Sequence, residues 1–563
     1  MNSENYFLLE FDKASNKIIQ LDYSTTNKFK DDKVFINTDE LLFIVDGAIF
    51  NKKQLLDKAK SDSWSDYLVA SYRSNREFFK QLKGTFWGVV VEKSTGKVLA
   101  FSDHLGTKQF FYVDQGDRLI LSANSYDLTV YLRNHEIIQP SLNEIGAFIL
   151  LSLGYVIEDL TIVEQIKRLV PGFYLSVENQ RISTRQFYTL RKNVQEISDN
   201  EAFEELDVRF KAATKAAFDK DKEYNYQHLV ALSGGLDTRM TCFAAHELGY
   251  TNQTNITFSQ SNYLDEQIAK QIASDLKHEW VFKSLDHGIF LMDLDKTTKL
   301  TGGNAIYFGI AHGFSMLDNL DMTNYGMLHS GQSGNSIFGT FPDQHLFSQR
   351  FTMEELVSDP TAKKYVGQYT LKNEYEDYEM YKHCNHNLIG GNNGFLAAQK
   401  KNESTSPFYD LDVYEFCLSI DWKRRANHEF YRNFIMAKYP KAGKYVWEAT
   451  QIPVNAKMNI KIKGNSYNYK QLSRYALGKT IYRYSPNKKR SIAGNYHMNP
   501  IEYWFKTNPE LVNFYETYVD ESLDCLSDYP ELKQYVYDLS KRPCRLTSVK
   551  VLTLLSIAKV VHG

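Results

Sequence analysis

The run Leu229-Val230-Ala231-Leu232 leads straight into Ser233-Gly234-Gly235-Leu236-Asp237-Thr238-Arg239. An apolar stretch of strand length closed by two glycines reads as a buried strand, a tight turn and the opening of a helix spanning Thr238 to Leu248. A second such unit follows, with a strand at Ile256 to Phe258 and a helix at Asp265 to Leu276 that stacks Ile268, Ile272 and Leu276 on one face. Strand and helix alternating in this way predict a parallel sheet with helices on its faces, so this half of the chain is α/β. The remainder, to Gly563, reads as mostly helical.

The turn itself has chemistry. Glycines let the backbone approach a ligand, and a helix amino terminus offers free N–H groups with partial positive charge. Leu232 to Thr238 therefore suits a pyrophosphate group, with Asp237 placed to hold the Mg²⁺ that would neutralise it. The plainer alternative is a strand-turn-helix link in which glycine serves only the turn. The motif is neither a Walker loop nor a GxGxxG fingerprint.

At 563 residues the chain exceeds what one hydrophobic core supports, so at least two domains are expected. Residues 1–190 read mainly as strands and turns: Tyr6 to Phe11, Leu41 to Val45, Thr85 to Val91 and Lys97 to Ser102, with one helix between them at Asp62 to Leu82. That pattern predicts an antiparallel, sandwich-like domain. Arg191 to Asn200 reads as a linker, and Ser198 with Glu201 forms a capping box that opens the second domain, 198–563.

Apolar content of 43% and charged content of 24% exclude disorder as the main description. The five cysteines (Cys242, Cys384, Cys417, Cys525 and Cys544) are odd in number and include no CxxC pair, which argues against a disulfide framework or a zinc cage. His246, His278, His312 and His329 are scattered without metal spacing. Met1 to Asn5 has neither a basic n-region nor an apolar core, and the longest apolar stretch, Ile145 to Ile157, is too short to span a bilayer. A cytoplasmic location is expected.

The formal charge of −2 is a cancellation. Between Glu448 and Glu502 no acidic residue occurs, while ten basic residues do, so the rest of the chain carries −12. Tyr467, Tyr469, Tyr475, Tyr482 and Tyr484 are interleaved with them. A Lys/Arg run is most often a solvated face; this one, 449–501, also suits an anionic membrane surface at the inner leaflet or a phosphorylated ligand. Lys470 to Tyr484 puts Leu472, Tyr475 and Tyr482 near one helical face. No nucleic-acid fold signature accompanies it.

Ser233 to Thr238, SGGLDT, resembles the pyrophosphatase loop of the asparagine synthetase-like family. Other landmarks follow in order. Thr257-Phe258-Ser259 resembles the second strand near adenine, and His329-Ser330-Gly331-Gln332-Ser333-Gly334-Asn335-Ser336-Ile337-Phe338-Gly339 the second loop, usually written SGEGADELFGG. Ser406-Pro407-Phe408-Tyr409-Asp410 resembles VPFLD. In the first half, Val45 to Asn51 resembles VNGEIYN, Gly84 to Trp87 GMFA, and Asp103 to Gly106 RDxLG. The resemblance implies a glutamine-amidotransferase-like domain followed by an adenine-nucleotide α-hydrolase-like synthetase domain that forms an acyl-adenylate from a carboxylate and ATP with Mg²⁺. An amine or ammonia then displaces AMP.

Carried over residue by residue, it implies nucleotide contacts at Leu232, Ser233, Gly234, Gly235, Leu236, Asp237, Thr238, Ser259, Ser330 and Gly331. It implies metal ligation by Asp237 and Asn335, catalytic roles for Asp237 and Gln332, and a phosphate-contacting cation at Arg432 or Lys438. The departures matter. The glutaminase half uses an amino-terminal cysteine, whereas the first cysteine here is Cys242; the oxyanion-hole Asn is Asp46, and the glutamine-gripping Glu is Ala48. The acidic second loop has become Gln332, Asn335 and Ser336, and Gln332 cannot act as a general base. The expectation is an ATP-dependent ligase without its own glutaminase, acting on a small or carrier-linked carboxylate such as a sugar acid for surface polysaccharide, with ammonia from a separate source. A lactam-forming cyclase and a catalytically degenerate nucleotide-binding scaffold are the alternatives. A homodimer is compatible with this reading.

Overall fold

The computed structural model describes residues 4–341, 351–456, 460–462, 465–467, 473, 494–542 and 545–563. Most of the basic segment, including the helical face at Lys470 to Tyr484, lies outside the described residues.

The first half is a sandwich of two antiparallel sheets. One has the order β2 (Lys17–Ser24), β1 (Tyr6–Asp12), β8 (Arg118–Ser122), β7 (Phe111–Gln115), β9 (Lys167–Arg168). The other runs β11 (Arg181–Gln186), β10 (Phe173–Glu178), β6 (Lys97–Ser102), β5 (Gly84–Glu92), β4 (Leu41–Ile49), β3 (Val34–Asn37). Alternation along the strands sets the layers. Phe7, Leu9 and Phe11 of β1 meet Leu42 and Ile44 of β4 between the sheets. The opposite face of β4 and β5, with Phe43, Val45 and Val90, packs on α1 (Lys52–Ala59) and α2 (Trp64–Ser74) through Leu55, Trp64 and Leu68. Leu8 and Ile120 face the other way, towards α3 (Ser125–Asn134) and α4 (Glu144–Leu153). The order is helices, sheet, sheet, helices.

The single helix expected over Asp62 to Leu82 is shorter: α2 stops at Ser74 and a 3-10 turn follows at Phe78–Gln81. The Ser63 side chain caps its start, and Asn75 leaves the helix in extended backbone. The apolar spacing carried on past the point where the backbone turned.

After a coil, α5 (Asp199–Glu223) opens on the Ser198/Glu201 capping box, with both reciprocal bonds made. A five-stranded sheet follows in the order β14 (Glu279–Ser284), β13 (Gln253–Ser259), β12 (Gln227–Ala231), β15 (Tyr325–His329), β16 (Ser404–Thr405), and every pairing is parallel. Helices α5, α6 (Leu236–Glu247) and α7 (Leu264–Leu276) cover one face, while Ile310 and Phe314 of the helix Phe308–Leu317 cover the other. The carboxy-terminal helix Arg545–His562 buries Val551, Leu554 and Ile557 in the cluster that holds Phe148 and Ile149 of α4, so the helical part rests on the sandwich.

This topology singles out one place for a candidate site. The chain leaves β12 for β13 on one side and later returns to β15 on the other. In open parallel sheets, the crevice for a ligand lies at the carboxyl ends of the strands where the order reverses. Here that point is bounded by the loops after β12 and β15.

Candidate functional site

The loop after β12 is a set of short self-contacts. Thr238 Oγ1 accepts from the Ser233 backbone N–H (3.1 Å) and lies 3.0 Å from Ser233 Oγ, which in turn accepts from the Gly235 N–H (3.1 Å). Thr257 Oγ1 of β13 donates to the Leu232 carbonyl (2.7 Å), and Leu236 is buried beneath the first turn of α6. Leu232 through Thr238 thus form one compact structure.

Three side chains that the sequence reading missed complete it. Asp265, in the first turn of α7, accepts from the Gly234 N–H at 2.7 Å. Glu448, the last acidic residue before the basic run, stands over the same glycine: its Cβ would be 2.8 Å from a Cβ on Gly234, so only glycine fits. Tyr263 donates its hydroxyl to Glu448. Burial, reinforced by the Glu448 charge, pushes the Asp265 carboxyl up to about 6. Arg239 reaches back from α6 to the Gly234 carbonyl (3.0 Å) and the Val446 carbonyl (2.6 Å), pinning the turn to the segment that carries Glu448.

The loop after β15 closes over α6. The Asn335 N–H donates to Asp237 Oδ2 at 2.9 Å. A Cβ on Gly331 would lie 2.2 Å from the Thr238 nitrogen, and one on Gly334 2.4 Å from Asp237 Cγ, so both positions need glycine. Ser330 is held to β16 by its N–H to the Thr405 carbonyl (2.8 Å), while its own carbonyl accepts from Thr241 Oγ1 (3.0 Å). The same Thr405 carbonyl also accepts from Ser330 Oγ (3.2 Å), so Ser330 grips β16 through backbone and side chain alike. Asp237 Oδ1 is buried and makes no well-directed hydrogen bond among the described residues; the Tyr431 hydroxyl is the donor beside this carboxyl, which burial pushes up to about 7. A buried carboxylate with few donors and no paired cation is a position a hard cation satisfies.

The remaining expected residues are distributed around this centre. Gln332 turns away from Asp237 and donates its amide to the Gly391 carbonyl, in a turn that also meets the first domain. Asn335 is exposed, and its contact with Asp237 is made by its backbone. Ser259 ends β13, fully buried, with its hydroxyl on the Gln260 carbonyl (3.0 Å). Arg432 follows Tyr431 on the helix Glu429–Lys438, whereas Lys438 pairs with Glu204 at the far end of that helix.

The histidines are less scattered than their spacing suggests. His246 Nδ1 and His278 Nε2 are 2.8 Å apart. Asp221 Oδ2 lies 3.0 Å from His228 Nδ1 and 2.7 Å from His329 Nε2, all three buried, and Phe218 stacks on the His329 ring. Sequence spacing could not gather them, because they meet across α5, β12 and β15. The short distances are those of hydrogen bonds, which join the helix to two strands beneath the site.

In the first domain, Asp46 is buried in a charge cluster. Lys108 Nζ lies 3.0 Å from Asp46 and 2.8 Å from Glu403, which precedes β16, so the ion pairs bridge the two domains. Tyr23 donates to Asp46 as well (2.9 Å). Burial alone would raise the Asp46 carboxyl, but Lys108 and Lys33 outweigh it and hold it well below the usual carboxylate range. For Glu403 burial wins, and its carboxyl is raised.

The chain thus joins a double-sheet sandwich to an α/β half with a glycine turn at its switch point. Residues 31–188 match the family model for a glutamine amidotransferase domain. The chain is 25% identical over 408 residues to a putative glutamine-hydrolysing asparagine synthetase of Methanocaldococcus jannaschii, covering 68% of this chain. It spans 65% of that relative's length. Over these spans the chain is similar to an asparagine synthetase, and its first domain to a glutamine amidotransferase domain. Two solved structures are also similar: an allosteric regulatory enzyme of purine biosynthesis (8% identity, 50% of this chain and 75% of that one) and a glutamine phosphoribosylpyrophosphate amidotransferase from B. subtilis (10%, 68% and 90%). Both have a TM-score of 0.22, too low to bear on the fold.

Proposed function

We propose that the chain is an ATP-dependent, amide-forming ligase that does not hydrolyse glutamine itself. One observation carries this reading: at the sheet's switch point a Ser-Gly-Gly turn and the amino terminus of α6 surround a buried carboxylate, Asp237, which among the described residues faces only the Asn335 N–H and the Tyr431 hydroxyl and no cation. Asp237 would hold Mg²⁺, with Asn335 beside it, and the ion would neutralise the phosphates of ATP. Ser330 and Gly331 would wall the nucleotide. Gln332, tied to Gly391, is suited to orienting a nucleophile and not to deprotonating it.

The Gly234 and Gly235 N–H groups, which would receive the pyrophosphate, are engaged by Asp265 and Ser233. ATP entry on this reading displaces the Asp265 carboxylate, and a protein closed in this way is in its resting conformation.

The loss of glutaminase activity is supported by Asp46. An ionised carboxylate locked to Lys108 at the position the resemblance gives to an oxyanion donor would repel a developing oxyanion. Nitrogen would then come from ammonia, a separate glutaminase, or an amine on the substrate. We take the carboxylate to be a sugar acid, carrier-linked, with the basic segment 449–501 as its contact surface and the cytoplasmic membrane face as its setting; a lactam-forming cyclase is the nearest variant. No described helix is long and apolar enough to cross a membrane.

Carboxylate-dependent exchange between ATP and labelled pyrophosphate tests the ligase reading. The expected result is exchange with at least one sugar acid, lost in Asp237→Ala. ATP binding without exchange across a panel of carboxylates would instead favour a nucleotide-binding scaffold, which the filled glycine amides also suit.

A further inference from the structure

A cavity of about 200 Å³ lies between the two domains, with Trp87, Lys108 and Asp127 on the side of the first and Lys299, Leu300 and Leu396 on the side of the second. Neither Asp46 nor Ala48, the positions that the resemblance gives to glutamine chemistry, lines it. Lys108 touches both places, lining the cavity while its ammonium is held by Asp46 and Glu403.

Most charges around the cavity are settled within the protein. Lys108 has its two acids, Lys296 pairs with Asp293 at 2.9 Å, and Lys400 pairs with Glu4 at 3.2 Å. Two charges are not settled. The Asp127 carboxylate, in the first turn of α3, makes no hydrogen bond or ion pair among the described residues. Its place in the chain suits a reciprocal helix cap, yet the Asn124 N–H it would accept from already donates to Ser122 Oγ at 3.1 Å. Burial pushes this carboxyl up to about 6, with Lys299 opposing the rise and Glu4 adding to it.

Lys299, on the helix Leu294–Thr301, is the second. Its ammonium lies over the Tyr126 ring at 6.0 Å and reaches no acid at ion-pair distance among the described residues. The two opposite charges therefore face one cavity without closing on each other. The Tyr6 hydroxyl, also on the cavity, has no hydrogen-bond partner among the described residues. Burial, reinforced by the Asp127 charge, pushes it up to about 12, so it stays a neutral hydroxyl able to serve either end of a ligand.

Small-molecule sites are concave and mostly apolar, carry a few polar groups that fix orientation, and favour domain boundaries. Phe7, Trp87, Leu300 and Leu396 supply the apolar wall here. One open charge of each sign calls for an ammonium and a carboxylate on the same molecule. We infer that this cavity binds a small apolar amino acid, its ammonium on Asp127 and its carboxylate on Lys299. Asp127 is half-buried and Lys299 exposed, so the ammonium enters first and the carboxylate stays at the mouth. Leu396 follows Gly391 and Gly394, the two glycines against which Gln332 packs, so an occupant braces that stretch. The inference does not depend on which reaction the second domain performs.

Thermal unfolding of the full chain at neutral pH in L-alanine, L-valine or L-leucine tests it. The halves of leucine, 3-methylbutylamine and 4-methylpentanoate, supply the ammonium alone and the carboxylate alone. At least one amino acid is expected to raise Tm saturably, the strongest naming the side chain, and each half should need at least about tenfold more for half-maximal effect. Asp127→Asn should need at least about tenfold more amino acid and leave the 4-methylpentanoate response unchanged. Lys299→Gln should weaken the amino acid likewise and leave the 3-methylbutylamine response unchanged. Because Lys299 is exposed, its variant decides the matter if Asp127→Asn does not fold. No response to any of the three amino acids overturns the inference, as does a half-molecule as effective as leucine or an unchanged amino-acid response in either variant.

Discussion

The backbone N–H of Asn335 donates to Asp237 Oδ2 at 2.9 Å, and this one bond brings the loop after β15 onto the first turn of α6. Because Gly331 and Gly334 pack against the same turn, the Asp237 carboxyl is buried with only the Asn335 N–H and the Tyr431 hydroxyl as donors beside it among the described residues.

Asp237→Asn should stabilise the protein at alkaline pH. The folded-state pKa of about 7 lies above the ordinary 3.8, so the folded chain holds this proton more tightly than the unfolded one. Stability from the retained proton is present in full below the ordinary value and is lost as pH rises through about 7. Asparagine keeps the acceptor for Asn335 and has no proton to lose. Its Tm should exceed the wild type's at pH 8, with the gap closing as pH falls towards 4; a constant gap would contradict the burial argument. Mg²⁺ affinity of the wild type, measured by titration calorimetry, should rise with pH over the same window, because the ion competes with the proton.

Lys108→Met should cost about 3–5 kcal/mol in chemical denaturation, since it leaves Asp46 and Glu403 buried without their shared cation. Adding Asp46→Asn and Glu403→Gln to the same chain should recover most of that loss. Additive losses in the triple variant would show that the ion cluster is not what joins the domains here.

Glu158 accepts from five donors in one short segment: the Tyr369 hydroxyl (2.7 Å), the Lys372 N–H (2.9 Å), the Asn373 N–H (2.9 Å) and side chain (3.0 Å), and the Tyr375 hydroxyl (3.1 Å). Glu158→Gln brings an amide donor against those donors and should cost about 1.5–3 kcal/mol. Limited proteolysis should cut between residues 367 and 377 first in the variant and not in the wild type.

Asp265→Ala frees the Gly234 N–H. On the ligase reading, affinity for inorganic pyrophosphate, followed by calorimetry, should rise at least about tenfold, roughly the 1.4 kcal/mol that one such competing bond is worth. Unchanged or weaker affinity would mean that the Asp265 contact shapes the turn and does not compete for it.

Much of the frame is legible in the chain. β-rich runs of strand length bounded by turn residues announce the sandwich strands, and the apolar run into Ser233-Gly234-Gly235 announces a parallel α/β unit, because burial on both faces of β12 demands it. The Ser198/Glu201 cap marks the start of α5 by local hydrogen bonding alone. The end of α2 was not legible, since apolar spacing persists through Phe78 and Phe79 although the backbone leaves the helix at Asn75.

By itself, then, the sequence determined the class of each half and the turn at which a ligand would sit, since both follow from periodicity and from what glycine permits over a few residues. Tertiary structure alone decided which charges face one another. Asp265 and Glu448 meet at Gly234, and Lys108 bridges Asp46 and Glu403, because strand order and domain docking bring together residues that no local pattern relates.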